Sequence, residues 1–212
     1  MINMSAHDAL IPFHVSRETM ERLDIYVTLL LRWQKMLNLV APSTLPQVWT
    51  RHIADSLQIH ALAPDINHWV DLGSGGGFPG LVTAICLASE PAARVTLIES
   101  DKRKSSFLRE VIRATGAPAV VISDRIEHVL PDFTDPVGAF SARALAPLPI
   151  LLSYVDAHFK KGAKAYFLKG KDVERELTEV SDLHKYSYKI WPTYDRGEGS
   201  ILEFQLKSLN TL

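Results

Sequence analysis

The chain has 212 residues, of which 47% are hydrophobic and 22% charged, a composition that suits one large α/β domain with an appendage and excludes a disordered or low-complexity protein. Its formal net charge of −1 gives no global support for nucleic-acid binding, which usually shows as a basic excess, so an RNA partner has to be argued locally. The single cysteine, Cys86, lies in an apolar helical stretch and excludes a disulfide framework and a structural zinc site, which fits a reducing compartment.

The opening MINMSAHDALIPF lacks a basic region followed by an apolar core. No later run is long and apolar enough to cross a bilayer, so a cytosolic protein without membrane contact is expected. From Ser16 to Asn38 the apolar residues Leu23, Tyr26, Val27, Leu30, Trp33 and Leu37 recur at three- and four-residue steps. That spacing predicts an amphipathic helix capped by Ser16. Ala41-Pro42-Ser43 breaks the pattern. A second helix is predicted from Pro46 to about Ala63, with Trp49, Ile53, Leu57 and Leu62 inward and Pro64 ending it. Residues 1–66 thus read as a helical extension ahead of a domain spanning 67–212.

Past Asn67 the texture changes. His68 to Leu72 is a predicted strand, followed by a glycine run and an apolar helix from Phe78 to Leu87. Further strands are predicted at Arg94 to Glu99, Ala119 to Ser123, Val137 to Ser141 and Ala163 to Leu168, each followed by a helix-like stretch. Such alternation implies a doubly wound, mostly parallel α/β sheet. The segments from Tyr186 to Trp191 and Ser200 to Leu206 alternate as strands, with turn residues from Asp195 to Gly199 between them, and predict a closing antiparallel hairpin.

The segment Val70-Asp71-Leu72-Gly73-Ser74-Gly75-Gly76-Gly77-Phe78-Pro79-Gly80 is the most informative in the chain. A strand enters it, a helix leaves it, and its glycines allow a sharp turn and close approach to a ligand. The dinucleotide fingerprint would need a glycine where Phe78 stands, and a phosphate loop would need a lysine that is missing. What stands instead is an acid, Asp71, two residues ahead of Gly73, Gly75 and Gly77. This spacing resembles the first motif of class I methyltransferases. Their cofactor, S-adenosylmethionine, brings an amino-acid tail whose ammonium a nearby acid can assist, directly or through water. On this reading Gly73→Val abolishes cofactor binding and leaves a folded protein. The alternative is a tight strand-to-helix turn with no ligand.

Glu99 ends the second predicted strand, at the interval where nucleoside-binding folds place an acid for ribose hydroxyls. The alternative is an exposed acid opening the Asp101-Lys102-Arg103-Lys104 turn. After the third strand, Ile126 suits the face of an adenine and Glu127 its edge, though any strand-to-helix loop carries such residues.

At a larger scale the chain resembles the bacterial small-subunit ribosomal RNA guanine-N7 methyltransferases, also called the glucose-inhibited division protein B family. The resemblance rests on Leu31 to Leu39, Arg51 to Leu57, the glycine loop, Lys102-Arg103-Lys104, Ser141 to Ala144 and Leu168-Lys169-Gly170, in that order. The chain departs from the family in having Gln34 where asparagine is common, Glu99 where aspartate is common, and Ser141-Ala142-Arg143 where Ser-Arg-Ala is usual. Reading Ala142-Arg143-Ala144 against that triplet keeps Arg143 in register. The resemblance implies a class I (Rossmann-like) fold and S-adenosylmethionine contacts at Gly73, Phe78, Ile126, Glu127 and Arg143. Gly75 and Glu99 join that cofactor set on the physical reading. For Arg143, physics alone says only that a guanidinium at a strand's C-terminal end faces the ligand crevice, where it can meet the cofactor carboxylate, a phosphate, or Asp124.

The reaction implied is methylation of guanine N7 in 16S ribosomal RNA within the small subunit, by a protein expected to act as a monomer. N7 carries an in-plane lone pair and no proton, so attack on the sulfonium methyl needs no general base. No catalytic residue and no metal are expected, and positioning can supply roughly 7 to 11 kcal/mol. His52, beside Arg51 and near Asp55, reads as part of a structural polar face or a phosphate-positioning surface, with catalysis the lesser alternative. Candidate RNA contacts are Lys102, Arg103, Lys104 and Lys169, with Lys160, Lys161, Lys164 and Lys171 behind them. Each cluster reads equally as a solvated face. A methyltransferase for a small molecule or protein, or a non-catalytic cofactor-binding assembly factor, are the rival readings.

Overall fold

The computed structural model describes residues 8–194 and 199–207. A helix, α1 (Arg17–Gln34), opens the chain, with the Ser16 side chain accepting from the Thr19 N–H as its cap. It stops four residues short of the expected end, because the Gln34 side chain turns back onto the chain that follows instead of continuing the stripe. Leu37 is still buried, though outside the helix.

The expected second helix is three pieces. A 3₁₀ segment runs over Pro42–Gln47, a π-helical turn over Val48–Ala54, and an α-helix, α2, over Asp55–Leu62. Pro46 has no N–H to donate, so a regular α-helix cannot run through it. The wide π-turn then rotates the following side chains, and His52, Ile53, Ala54 and Asp55 are all buried. Such turns cluster at functional sites.

The sheet has seven strands: β1 (His68–Leu72), β2 (Arg94–Ile98), β3 (Ala119–Ile122), β4 (Ala139–Arg143), β5 (Lys164–Lys169), β6 (Tyr186–Pro192) and β7 (Ser200–Leu206). Their order is β3-β2-β1-β4-β5-β7-β6. The first five are parallel and β7 is antiparallel to both β5 and β6, so the doubly wound sheet with a closing hairpin is what forms. The turn residues Asp195 to Glu198 lie outside the described residues. β4 sits two residues later than its apolar run suggested, and Arg143 is its last residue.

The connecting helices are α3 (Gly80–Cys86), α4 (Lys102–Thr115), α5 (Ile126–Val129), α6 (Leu148–Phe159) and α7 (Val173–Thr178). One core packs α3 and α4 against the sheet and takes in Leu23, Tyr26, Leu30, Ile53, Leu57 and Ile59 from the first 66 residues. The other face is covered by α6 and α7. The extension therefore shares a core with the sheet instead of standing beside it. Strand order reverses between β1 and β4, and an open parallel sheet binds ligands at the carboxyl ends beside such a switch point.

Candidate functional site

Beside that switch point lies a cavity of about 650 Å³, within the usual range for a small-molecule site. Its walls are the loops after β1, β2, β3 and β4, closed by Leu39 to Ala41, Thr44 and His52 of the extension. Of the expected cofactor residues, Gly73, Gly75, Phe78, Glu99, Ile126, Glu127 and Arg143 all line it.

The glycine loop is shaped by main-chain bonds. Ser74 N–H donates to the Ile98 carbonyl at 3.0 Å and Gly77 N–H to the Ser74 carbonyl at 2.6 Å. Gly73, Gly75 and Gly77 hold φ of 63°, 53° and 95°, a region where a side chain is strained. A Cβ on Gly73 would lie 2.5 Å from Leu145 Cδ1, whereas on Gly75 its nearest neighbour would be the Gly73 carbonyl oxygen at 3.7 Å. Bulk at Gly75 thus fills the cavity, and bulk at Gly73 disturbs the packing of the β4–α6 loop. Gly73→Val is therefore not the clean test it promised to be; position 75 is.

Glu99 is buried, and both carboxylate oxygens are placed by main chain: Gly75 N–H donates to one and Asp101 N–H to the other, each at 2.8 Å. A carboxylate oxygen accepts more than one bond, so capacity remains toward the cavity. Asp71 is different. It is fully buried under the loop, accepts from the Ser141 hydroxyl at 2.6 Å, and is not part of the cavity wall. Burial pushes its pKa up to about 6. A Cβ on Gly80 would lie 2.6 Å from the Asp71 Cβ, so this acid packs beneath the loop and braces it from below.

Apolar surface comes from Phe78, whose ring centroid lies 4.9 Å from that of His52 and 5.3 Å from that of Tyr26, and from buried Ile126. Glu127 is exposed and accepts from the Tyr154 hydroxyl at 2.6 Å. Tyr26, read from sequence only as part of an apolar stripe, donates to the Gly76 carbonyl. Burial holds its phenol protonated, so it remains a donor.

Thr44 donates its hydroxyl to the Ala41 carbonyl at 2.8 Å, so its oxygen accepts from His52 Nε2, also at 2.8 Å. That arrangement leaves Nδ1 bare, and among the described residues it has no hydrogen-bond partner. Burial first, then the charges of Arg143 and Arg51, push the His52 pKa down to about 3. The imidazole is neutral at physiological pH.

Arg143 does not pair with Asp124, which instead bonds His128. Its Nη1 donates to the Arg51 carbonyl at 2.7 Å and lies 3.7 Å from an Asp55 carboxylate oxygen. The Arg51-His52-Asp55 trio is thus split by the π-turn, with His52 at the first cavity and Arg51 and Asp55 at a second. This second cavity, about 590 Å³, is lined also by Gln47, Lys169, Lys171 and Asp172, and it meets the first at Arg143 and Ala144. Ala144, at the seam, holds φ of 52°, a left-handed conformation that costs a residue with a Cβ roughly 1 to 2 kcal/mol.

The basic residues divide. Lys102-Arg103-Lys104 is the first turn of α4 and not a turn ahead of it, because the Asp101 side chain accepts from the Arg103 and Lys104 N–H groups. Lys102 is exposed, Lys104 reaches the first cavity, and Arg103 donates to the Met36 carbonyl at 2.8 Å. Lys169 lines the second cavity with its amine already engaged. Its amine sits 2.7 Å from Glu176 and 2.9 Å from the Ala146 carbonyl, with the side chain 10% exposed, so it ties the β4–α6 loop to α7. Lys160, Lys161 and Lys164 lie at the opposite end of the sheet, where α6 ends and β5 begins, and Lys164 pairs with Glu203 at 3.5 Å. Among the described residues no group of three metal-ligating side chains converges, and no helix is long and apolar enough to cross a membrane.

Comparison with known proteins adds what geometry leaves open. The family model described as rRNA small subunit methyltransferase G matches residues 19–195. A ribosomal RNA small subunit methyltransferase G from Bradyrhizobium sp. strain BTAi1 is 54% identical over 188 residues, 89% of this chain and 85% of that one. A protein of the same name from Rhodopseudomonas palustris strain BisB18 is 49% identical over 189 residues, 89% and 81% of the two chains. Among solved structures, cofactor-bound Rv0187 from MTB superposes with a TM-score of 0.62 at 14% identity, covering 86% of this chain and 88% of that one. An rRNA methylase from Streptococcus thermophilus gives 0.53 at 15% identity, covering 70% and 94%. The structural likenesses show the fold, that of class I methyltransferases.

Proposed function

The chain belongs to the rRNA small subunit methyltransferase G family, and from that premise we propose that it moves a methyl group from S-adenosylmethionine to N7 of a guanine in 16S ribosomal RNA. The observation that carries the reading is the pair of cavities joined at Arg143 and Ala144. Methyl transfer needs donor and acceptor on either side of a single reacting carbon, held in line.

S-adenosylmethionine, when bound, supplies an electrophilic methyl on a sulfonium. The first cavity fits it: Gly75 leaves open the space a side chain would take, Glu99 offers a buried carboxylate for ribose hydroxyls, and Ile126 offers an apolar face for the adenine. Gly73, Phe78, Glu127 and Arg143 complete the cofactor wall in this reading. Phe78 and Ile126 exclude water, and His52 stays neutral beside them.

In the same reading the second cavity takes the acceptor base. A base must leave its stack to enter such a site. Arg51, Arg143 and Lys171 set positive charge around it while Asp55 and Asp172 balance that charge locally, which suits a neutral base carried on an anionic strand. Lys104 lines the first cavity and exposed Lys102 sits two residues before it, and in this reading both meet RNA phosphates. Arg103 can join them only by leaving Met36, and Lys169 only by leaving Glu176. Guanine N7 needs no base to deprotonate it, so the residues around it position and exclude water.

Calorimetry with S-adenosylhomocysteine, followed by transfer of labelled methyl to small ribosomal subunits, tests this. Binding with transfer to RNA supports it. Binding without transfer favours the assembly-factor reading, and transfer to protein or small molecules alone overturns the acceptor.

A further inference from the structure

Leu39 and Val40 line the first cavity but belong to the extension, separated from the glycine loop by more than thirty residues of chain. Something has to hold that wall in place, because the stretch between α1 and the 3₁₀ segment at Pro42 forms no regular element of its own. The Gln34 side chain does so. Its carboxamide oxygen accepts from the Leu39 N–H at 3.0 Å and the Val40 N–H at 3.1 Å, while its nitrogen donates to the Val40 carbonyl at 2.8 Å.

The same wall presses on the glycine loop. A Cβ on Gly76 would lie 2.9 Å from the Leu39 carbonyl oxygen, so the two backbones touch. On its other side Gly76 is held by the Tyr26 hydroxyl, from one face of the helix that ends in Gln34. Two bonds further stiffen this end of α1: Arg32 and Trp33 both donate to Glu110 of α4, at 2.6 and 3.0 Å. The anchor is rigid, and the element it carries is a cavity wall.

We propose that Gln34 is a positioning residue for the cofactor cavity, fixing the Leu39–Val40 wall against the glycine loop from the end of α1. This rests on the cofactor reading of that cavity. A glutamine used only to finish its helix would bond the last helical carbonyls. Gln34 instead bonds main chain five and six residues ahead, where the ligand space begins. It is also the position at which the family resemblance leads one to expect the shorter asparagine.

The test measures S-adenosylhomocysteine binding by calorimetry, thermal melting, and amide exchange at Leu39 and Val40 in wild type, Gln34→Ala, Gln34→Met and Ser16→Ala. Gln34→Met keeps the length and packing of the side chain and loses its bonds, so it remains informative should the alanine variant fail to fold. Both Gln34 variants are expected to weaken binding about tenfold, the scale of one or two net hydrogen bonds, with faster exchange at Leu39 and Val40. Ser16→Ala removes a cap at the far end of the same helix, so it lowers melting while leaving affinity unchanged. Wild-type affinity in Gln34→Met, or an equal loss in Ser16→Ala, overturns the proposal. A wild-type protein that binds no S-adenosylhomocysteine overturns the cofactor reading itself, and this inference with it.

Discussion

The two cavities that meet at Arg143 are built by opposite means. The first is closed on one side by a glycine loop, with Gly73 and Gly75 at positive φ, by the Leu39–Val40 stretch, and by one carboxylate fixed by two N–H donors. The second is walled by side chains of both signs, Arg51, Asp55, Lys171 and Asp172, brought together from a π-turn and the end of β5. A glycine-loop wall fits one ligand closely and fails when bulk is added. A charged side-chain wall fails when a charge is removed, and it leaves the neighbouring cavity intact.

The largest effect that sharpens this contrast is expected at Gly75. Gly75→Val puts a branched side chain into ligand space and a left-handed strain of roughly 1 to 2 kcal/mol on the loop, so cofactor affinity should fall more than about 100-fold while circular dichroism still shows a folded protein. Calorimetry within threefold of wild type would mean the ligand does not approach the loop. Next comes Arg143→Ala, at the seam. A misplaced acceptor costs on the order of 100-fold in rate, so methyl transfer to small subunits should drop by that much and cofactor affinity by far less. An equal drop in both would move Arg143 wholly to the cofactor side.

The pH dependence reads the first cavity through His52. Folded His52 stays neutral down to about 3, whereas the unfolded chain takes up a proton near 6.5. Between those values the unfolded state binds more protons, so stability is full above pH 6.5 and is lost as pH falls, by about 2 kcal/mol at pH 5. Denaturant titrations of wild type and His52→Gln should diverge over that window, with the variant flatter; parallel curves would show that the imidazole is not desolvated. The smallest effect is expected from Lys102→Ala with Lys104→Ala. Removing two phosphate contacts should reduce the slope of log affinity for subunits against log salt by about 1 to 2, leaving cofactor affinity near normal. Unchanged slopes would make both lysines a solvated helix start.

What could be seen in advance follows the same divide. The glycine loop, Glu99 and Ile126 were legible because strand-end position and glycine spacing are local facts of the chain. The parallel sheet was legible from the alternation of strands and helices. Spacing gave the distance of Asp71 from the loop and not which way the acid faces; it packs beneath Gly80, outside the cavity wall. The partners of Arg143 were hidden because Asp55 and Arg51 lie some ninety residues away and reach it only through a π-turn that an apolar repeat does not announce. Lys169 looked like any lysine at a strand end until Glu176 was seen across from it. Gln34 and Tyr26 carried one signal each, a polar group at a helix end and a hydroxyl on an apolar stripe, and neither says what it will touch.

The central claim, methyl transfer to guanine N7 in 16S RNA, is tested most directly by chemistry on the product. Small subunits purified from cells lacking the protein are incubated with it and labelled S-adenosylmethionine, and the 16S RNA is then cleaved by borohydride and aniline, which break the strand at N7-methylguanosine. The account predicts label in 16S RNA and one new cleavage site that appears with wild type and is lost with Gly75→Val. Label without that cleavage would place the methyl elsewhere on the RNA, and no label in RNA at all would contradict the account.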